Sequence, residues 1–242
     1  MNIVISDIDP IIVSLAELPE LANLGSVNKY FYNLVSLQPV IKQWLIIKKT
    51  RRHTGRSIHD IFIEVCKNGF LSYGMFFIKG NKINIHDSNE LAFRLSCANG
   101  HSEIAHWLIK LGESRDYDKI NIHTNDEHAF RWSCAHGHSK IAHWLIQLGE
   151  SGDYGKINIH VSGEWTFSMS CVGGHDEIAN WLIKLGESGD YGKINIHAYD
   201  EWAFYTSYTK GHIGIAHWLI QLGESGDYGK IDPMIIDEYI KN

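Results

Sequence analysis

The 242-residue sequence predicts an all-α helix-pair solenoid preceded by a small helical segment, on three observations. The string KINIH begins at Lys82, Lys119, Lys156 and Lys193, a period of 37 residues, and a truncated KID begins at Lys230. Two glycines punctuate each period: Gly100, Gly137, Gly174 and Gly211 after a small-residue-rich segment, then Gly112, Gly149, Gly186 and Gly223 after an apolar one. Between them runs IAxWLIxLG, where Ile104, Ala105, Leu108, Ile109 and Leu111 fall at spacings of three and four, as on one face of a helix. A fixed period of this length marks supersecondary units that bury apolar faces against their neighbours.

The elements follow in chain order. Residues 1–50 hold no copy of the repeat, and Leu21, Leu24, Val27, Phe31 and Leu34 fall at the spacing of short amphipathic helices. Residues 57–81 read as a degenerate first unit, because IFIEVCKNGFLSYGMFFIKG sets Cys66 and Gly69 an offset of 31 residues before Cys97 and Gly100. Full units follow at 82–118, 119–155, 156–192 and 193–229. In each, a Glu (Glu90, Glu127, Glu164 or Glu201) is expected to open the first helix and complement its dipole. Both glycines are expected to end helices in the left-handed conformation. Ser102, Ser139 and Asp176 suit the start of the second helix, whereas Ile213 does not. Helices of about ten residues are marginal alone, so packing between units must stabilise them. Residues 230–242 begin a further unit that Pro233 cuts short, as a closing cap would.

Composition narrows the function. With a net charge of −6 and no basic run longer than KKTRR at 48–52, the chain lacks the electrostatic footprint of a nucleic-acid binder. Its apolar stretches fall short of the roughly 18 residues that cross a bilayer, so no membrane partner is expected. The opening MNIVISDIDP lacks the charged and apolar regions of a secretory signal, which points to an intracellular, cytoplasmic protein.

Chemistry-bearing residues recur with the period. Cys97 with His101 returns as Cys134 with His138 and Cys171 with His175, which raises a metal-dependent hydrolase as an alternative. Core packing is favoured instead, since free Cys is commonly buried and a structural metal needs about four converging ligands. Trp107, Trp144, Trp181 and Trp218 form a column whose helical register favours packing between units. His86, His123, His160 and His197 are expected to hold loop geometry by hydrogen bonds; a ladder of imidazoles repelling below about pH 6.5 is the second reading. The GESGDYG loops read as solvent loops. No nucleophile with its base, no phosphate cradle and no dinucleotide fingerprint emerges, so no catalytic residue, cofactor or metal ligand is assigned.

The order helix, Gly-His, helix, extended loop resembles the ankyrin repeat from about Ser57 to Asn242. The family's Thr-Pro-Leu-His opening is absent, replaced by LAFR, HAFR, WTFS and WAFY, and the period exceeds the usual 33 by 4. The long LGESGDYGKINIH loop is similar to that of ankyrin proteins of giant amoeba-infecting, mimivirus-like viruses, for which the compartment would be the host-cell cytoplasm. ELANLGSVNKYFYNLV resembles the second half of an F-box. That resemblance implies docking on the Skp-type adaptor of a cullin ubiquitin ligase, with Leu15, Leu18, Leu21, Leu24, Val27 and Phe31 as contacts. An N-terminal helical cap fits the same pattern.

The ankyrin resemblance implies a binding scaffold for another protein, with loop tips and first helices lining a concave face. Positions that vary between units are the candidates. On the loop tips these are Asp87, Ser88, Asn89, Asn125, Asp126, Ser162, Tyr199 and Asp200. On the first helices they are His128, Trp132, His136, Trp165, Met169, Trp202 and Lys210, rich in the aromatic anchors of interaction hot spots.

Overall fold

The structure is a computed structural model that describes residues 57–80 and 82–240. The F-box-like segment, with Leu15, Leu18, Leu21, Leu24, Val27 and Phe31, lies outside the described residues. All regular elements among the described residues are helices, and the chain divides into two compact units.

The first unit contributes most of α1 (Ile58–Lys67) and α2 (Leu71–Gly80). Ser57 and Asp60 satisfy each other at the start of α1: the Ser57 amide donates to Asp60 Oδ2 at 2.9 Å and the Asp60 amide to Ser57 Oγ at 3.1 Å. This reciprocal cap fixes where the helix begins. Ile61, Phe62, Val65, Tyr73 and Phe77 are buried.

The second unit holds Cys66–Gly69 and everything from Asn84 onward. Its helix pairs are α3 (Asp87–Ala98) with α4 (Ser102–Gly112), α5 (Thr124–Ala135) with α6 (Ser139–Glu150), α7 (Val161–Val172) with α8 (Asp176–Glu187), and α9 (Ala198–Thr209) with α10 (Ile213–Glu224). α11 (Pro233–Ile240) follows. Each first helix packs on its own second helix and on the first helix of the next pair, and α9 also meets α11. Phe93, Phe130, Phe167 and Phe204 are buried without remainder, one per pair, beside Ala105, Leu108 and their copies. Between pairs the chain runs extended, with both isoleucines of each INI buried (Ile120 and Ile122, Ile157 and Ile159, Ile194 and Ile196).

The two glycine columns behave differently. Gly100 has φ 81, the His101 amide donates to the Ser96 carbonyl at 2.9 Å, and the Gly100 amide donates to Cys97 at 3.1 Å. This is a Schellman stop, as expected from the sequence. Glycine is needed there twice over, since a methyl group on Gly100 would stand 2.7 Å from the His138 imidazole of the next pair. Gly112, Gly149, Gly186 and Gly223 are not left-handed, contrary to expectation. They are glycine because the loop crosses directly over the helix: a methyl group on Gly149 would lie 2.6 Å from the Gly155 carbonyl. The second helices start at Ser102, Ser139 and Asp176, as expected, but these residues do not cap them. His101, His138 and His175 occupy the N-cap without a side-chain bond, and their backbone carbonyls, not Ser102, Ser139 or Asp176, receive the first helical amides. Asp232 caps α11, accepting the Met234 amide at 2.9 Å, and Pro233 opens that helix where its missing N–H costs nothing.

Candidate binding surface

The loop tips are held by a ladder. Just inside the start of each first helix, three consecutive residues adopt positive φ: Ser88, Asn89 and Glu90 at 53 to 60, and likewise 125–127, 162–164 and 199–201. Left-handed conformation costs an ordinary residue roughly 1–2 kcal/mol, so such a turn persists only where its surroundings fix it. The Glu fixes it. Glu127 is 5% exposed; its Oε1 lies 2.9 Å from His123 Nδ1 and accepts the Asn158 amide of the next repeat at 3.1 Å. Glu90 receives Asn121 and Glu164 receives Asn195 in the same way. The expected role of these carboxylates at the helix dipole is therefore corrected: they bind loop to loop, and right-handed helix begins after them.

The histidines complete the ladder. His123 Nε2 faces the Tyr154 carbonyl at 2.7 Å, His160 the Tyr191 carbonyl at 2.8 Å and His197 the Tyr228 carbonyl at 2.7 Å. A carbonyl and a carboxylate both accept, so the doubly protonated ring is the form that satisfies both, as an imidazolium paired with a buried carboxylate. Burial alone would lower these pKa values, but the bonds to Glu and to the Tyr carbonyl, together with the Glu charge, raise them. The loop geometry role expected from the sequence holds, and the protonated rings are paired rather than repelling.

The GESGDYG loops lie in solvent as expected, with Ser151, Gly152, Asp153 and Gly155 exposed, and they are also tied to their neighbours. Tyr154 donates to Glu113 at 2.8 Å, Tyr191 to Glu150 and Tyr228 to Glu187 at 2.9 Å, and Lys156 lies over the Tyr191 ring at 4.1 Å.

With the backbone clamped, the tips present their side chains outward. Ser88, Asn89, Asn125, Asp126, Ser162, Tyr199 and Asp200 are exposed, and Asp87 is half-buried. Arg94 donates to the carbonyls of Asn89 and Ser88 at 2.7 and 2.9 Å, and Arg131 serves Asp126 and Asn125 similarly. Ser168 stands where the next Arg would be. There the Tyr199 hydroxyl reaches back to the Ser162 carbonyl at 2.7 Å, over Gly163.

Beside the tips, the structure brings four of the candidate side chains together. The Trp132 ring centroid lies 5.8 Å from His128, 5.1 Å from His136 and 5.3 Å from Trp165, and the Arg131 guanidinium sits 4.9 Å over Trp165. Trp132 and Trp165 are half-buried, and the exposed His136 donates from Nδ1 to the Ala98 carbonyl at 2.7 Å. Burial first, then the charges of Arg94 and Arg131, push His128 down to about 4, so it stays neutral; its Nδ1 is buried without a partner. Met169 and Trp202 are half-buried on α7 and α9, and Lys210 is exposed beyond α9. Arg131 and the exposed Tyr205 were missed by the sequence reading, although they occupy a variable column, the last, of LAFR, HAFR, WTFS and WAFY.

The remaining chemistry-bearing columns belong to the packing. Trp144 lies 6.4 Å from Phe93 and 4.0 Å from His106, and Trp181 lies 6.3 Å from Phe130 and 4.0 Å from His143, all between repeats as expected. The cysteines are free and buried; burial pushes Cys66 up to about 12 and raises Cys97, Cys134 and Cys171 likewise. Among the described residues, no three His, Cys, Asp or Glu side chains converge as a metal-holding group, and no helix is long and apolar enough to cross a membrane. No protein-family model matches the chain, and no curated protein matches it.

Proposed function

We propose that this chain is an ankyrin-type solenoid that binds a partner protein through the loop tips and first helices of its repeats, and that residues 1–50 dock it on the Skp-type adaptor of a cullin ubiquitin ligase. The observation that carries the first part is the convergence of variable columns. His128, Trp132, His136 and Trp165, from two successive repeats, form one partly exposed aromatic patch beside exposed, rigidly held loop tips. A pre-organised backbone lowers the ordering cost of association, and amphipathic rings supply contact area with few rotatable bonds. The ligase part rests on the F-box-like pattern of the N-terminal segment.

Proximity labelling in the native host identifies the partner. A variant with Trp132, Trp165, Trp202 and Lys210 all changed to Ala is expected to lose that partner at unchanged helical content. Retained binding moves the site elsewhere. The adaptor arm is tested apart, by mixing the full chain with purified Skp-type adaptor: recovery of a complex supports it, and no complex leaves a plain binding protein whose N-terminal segment is a cap.

A further inference from the structure

The outer packing of the second helices changes at its last step. On Trp144 and Trp181 the imidazole of the preceding repeat, His106 or His143, lies with ring centroids 4.0 Å apart. The third such position is Asn180, so Trp218 has no imidazole from the preceding repeat to cover it, while Phe167 still meets it at 6.4 Å. A second loss falls beside the first: Gly214 stands where the other second helices carry Glu103, Lys140 and Glu177, and a methyl group there would meet nothing within 4 Å. The result is a groove of about 700 Å³ between α8 and α10, lined by Asp176, Glu177, Asn180, Ile213, Gly214 and Trp218 among others. Ile213 is 39% exposed.

We infer that this groove takes an arginine side chain of a partner protein. Two sister repeats show what Trp at this position accepts, a flat nitrogen-bearing ring laid against the indole. The groove's carboxylates select a cationic version of that shape. A guanidinium is planar and permanently charged, stacks on indole, and presents five donors to acceptors such as Asp176, Glu177 and the Asn180 amide oxygen. A lysine ammonium matches the charge but not the stacking. The volume is that of a small-ligand pocket, enough for the arginine and its flanking backbone. The groove lies on second helices, so this inference does not depend on the first-helix surface.

The test titrates acetyl-Gly-Arg-Gly-amide and its lysine counterpart into the full chain, with the Trp218 indole N–H followed by NMR. The arginine peptide is expected to shift that signal and to bind at least about tenfold more tightly than the lysine peptide. Asn180→His, which restores the sister arrangement, is expected to weaken arginine binding at least about tenfold while leaving the thermal midpoint equal or higher. Equal binding of the two peptides, undiminished binding to Asn180→His, or an unmoved Trp218 signal overturns the inference. So does a concentration-dependent dimer that Asn180→His abolishes, which would assign the groove to a second copy of this chain.

Discussion

The loop edge and the first-helix face share one 37-residue frame, but from His123 onward the edge repeats the same His bonds to Glu and to a Tyr carbonyl, while the face carries different side chains along the repeats. At the edge, His123, His160 and His197 meet Glu127, Glu164 and Glu201 at 2.6 to 2.9 Å, and each reaches a Tyr carbonyl in the loop that follows. On the face, the corresponding column runs Leu91, His128, Trp165, Trp202. The difference follows from what each side chain must satisfy. A ladder residue completes hydrogen bonds of two repeats at once and shields strained backbone, so replacing it leaves buried polar groups open on both sides. A face residue meets water and a ring or two, so its replacement costs little in folding. Variation on the face falls where the fold tolerates it, so the binding proposed for that face can be altered without unfolding the repeats.

The sharpest way to break this comparison is to make one change in each region. Glu127→Ala is expected to cost about 3 kcal/mol, near the low end for removing one partner of a buried pair because His123 keeps some exposure. It also frees the Asn158 amide and three left-handed residues. Trp165→Ala, on the face, is expected to cost roughly 1–2 kcal/mol for a half-buried ring. Denaturant midpoints followed by circular dichroism measure both, and equal costs would abolish the distinction drawn between edge and face.

A smaller effect should appear with pH. His123, His160 and His197 have raised pKa values in the fold, so their contribution is complete below the unfolded value near 6.5 and is lost as pH rises through the folded values. His128 has the opposite sign: burial and two arginine charges lower it to about 4, so its contribution is present above 6.5 and lost as pH falls toward 4. His138, lowered by burial and by His136 beside it, acts in the same direction. The midpoint should therefore rise from pH 8.5 to 6.5 and fall again toward pH 4. A His123→Asn, His160→Asn, His197→Asn variant should lose the rise and keep the fall. A midpoint that climbs steadily with pH would mean the rungs do not hold their second proton.

The contrast also explains what could be read from residues alone. The period, the Schellman glycines, the buried cysteines and the tryptophan packing between repeats were legible, because each follows from one residue type at one spacing. The left-handed turns were not. Ser-Asn-Glu, Asn-Asp-Glu, Ser-Gly-Glu and Tyr-Asp-Glu look like ordinary helix starts, where acidic residues are common, and only the Asn, Asp or Gly before each Glu hints at positive φ. The Glu role was misread for the same reason, since its partner, an Asn amide one repeat later, carries no side-chain signature. Likewise Gly149 and Gly100 are the same letter answering different demands, a close crossing and a reversed helix end.

The smallest expected effect sits at the first rung, where the ladder is incomplete. The loops after the later repeats carry Gly152 and Gly155, Gly189 and Gly192, or Gly226 and Gly229, all with φ between 82 and 87. The loop after α4 carries Arg115 and Asp118 instead, and neither takes positive φ. Its course differs accordingly: a cavity of about 220 Å³ opens among His86, Arg115, Asp116, Tyr117 and Asp118, and His86 Nε2 is buried without a hydrogen bond although Nδ1 meets Glu90 at 2.9 Å. Arg115→Gly with Asp118→Gly should let this loop follow its sisters and bring the Tyr117 carbonyl to His86. The new bond contributes about 1.5 kcal/mol and the added glycines cost part of that in chain entropy, leaving a net gain of roughly 0.5 kcal/mol. Slowed exchange of the His86 ring protons, seen by NMR alongside a raised denaturant midpoint, checks it. Loss of stability in the double variant would show that the first loop is shaped by something other than its two missing glycines.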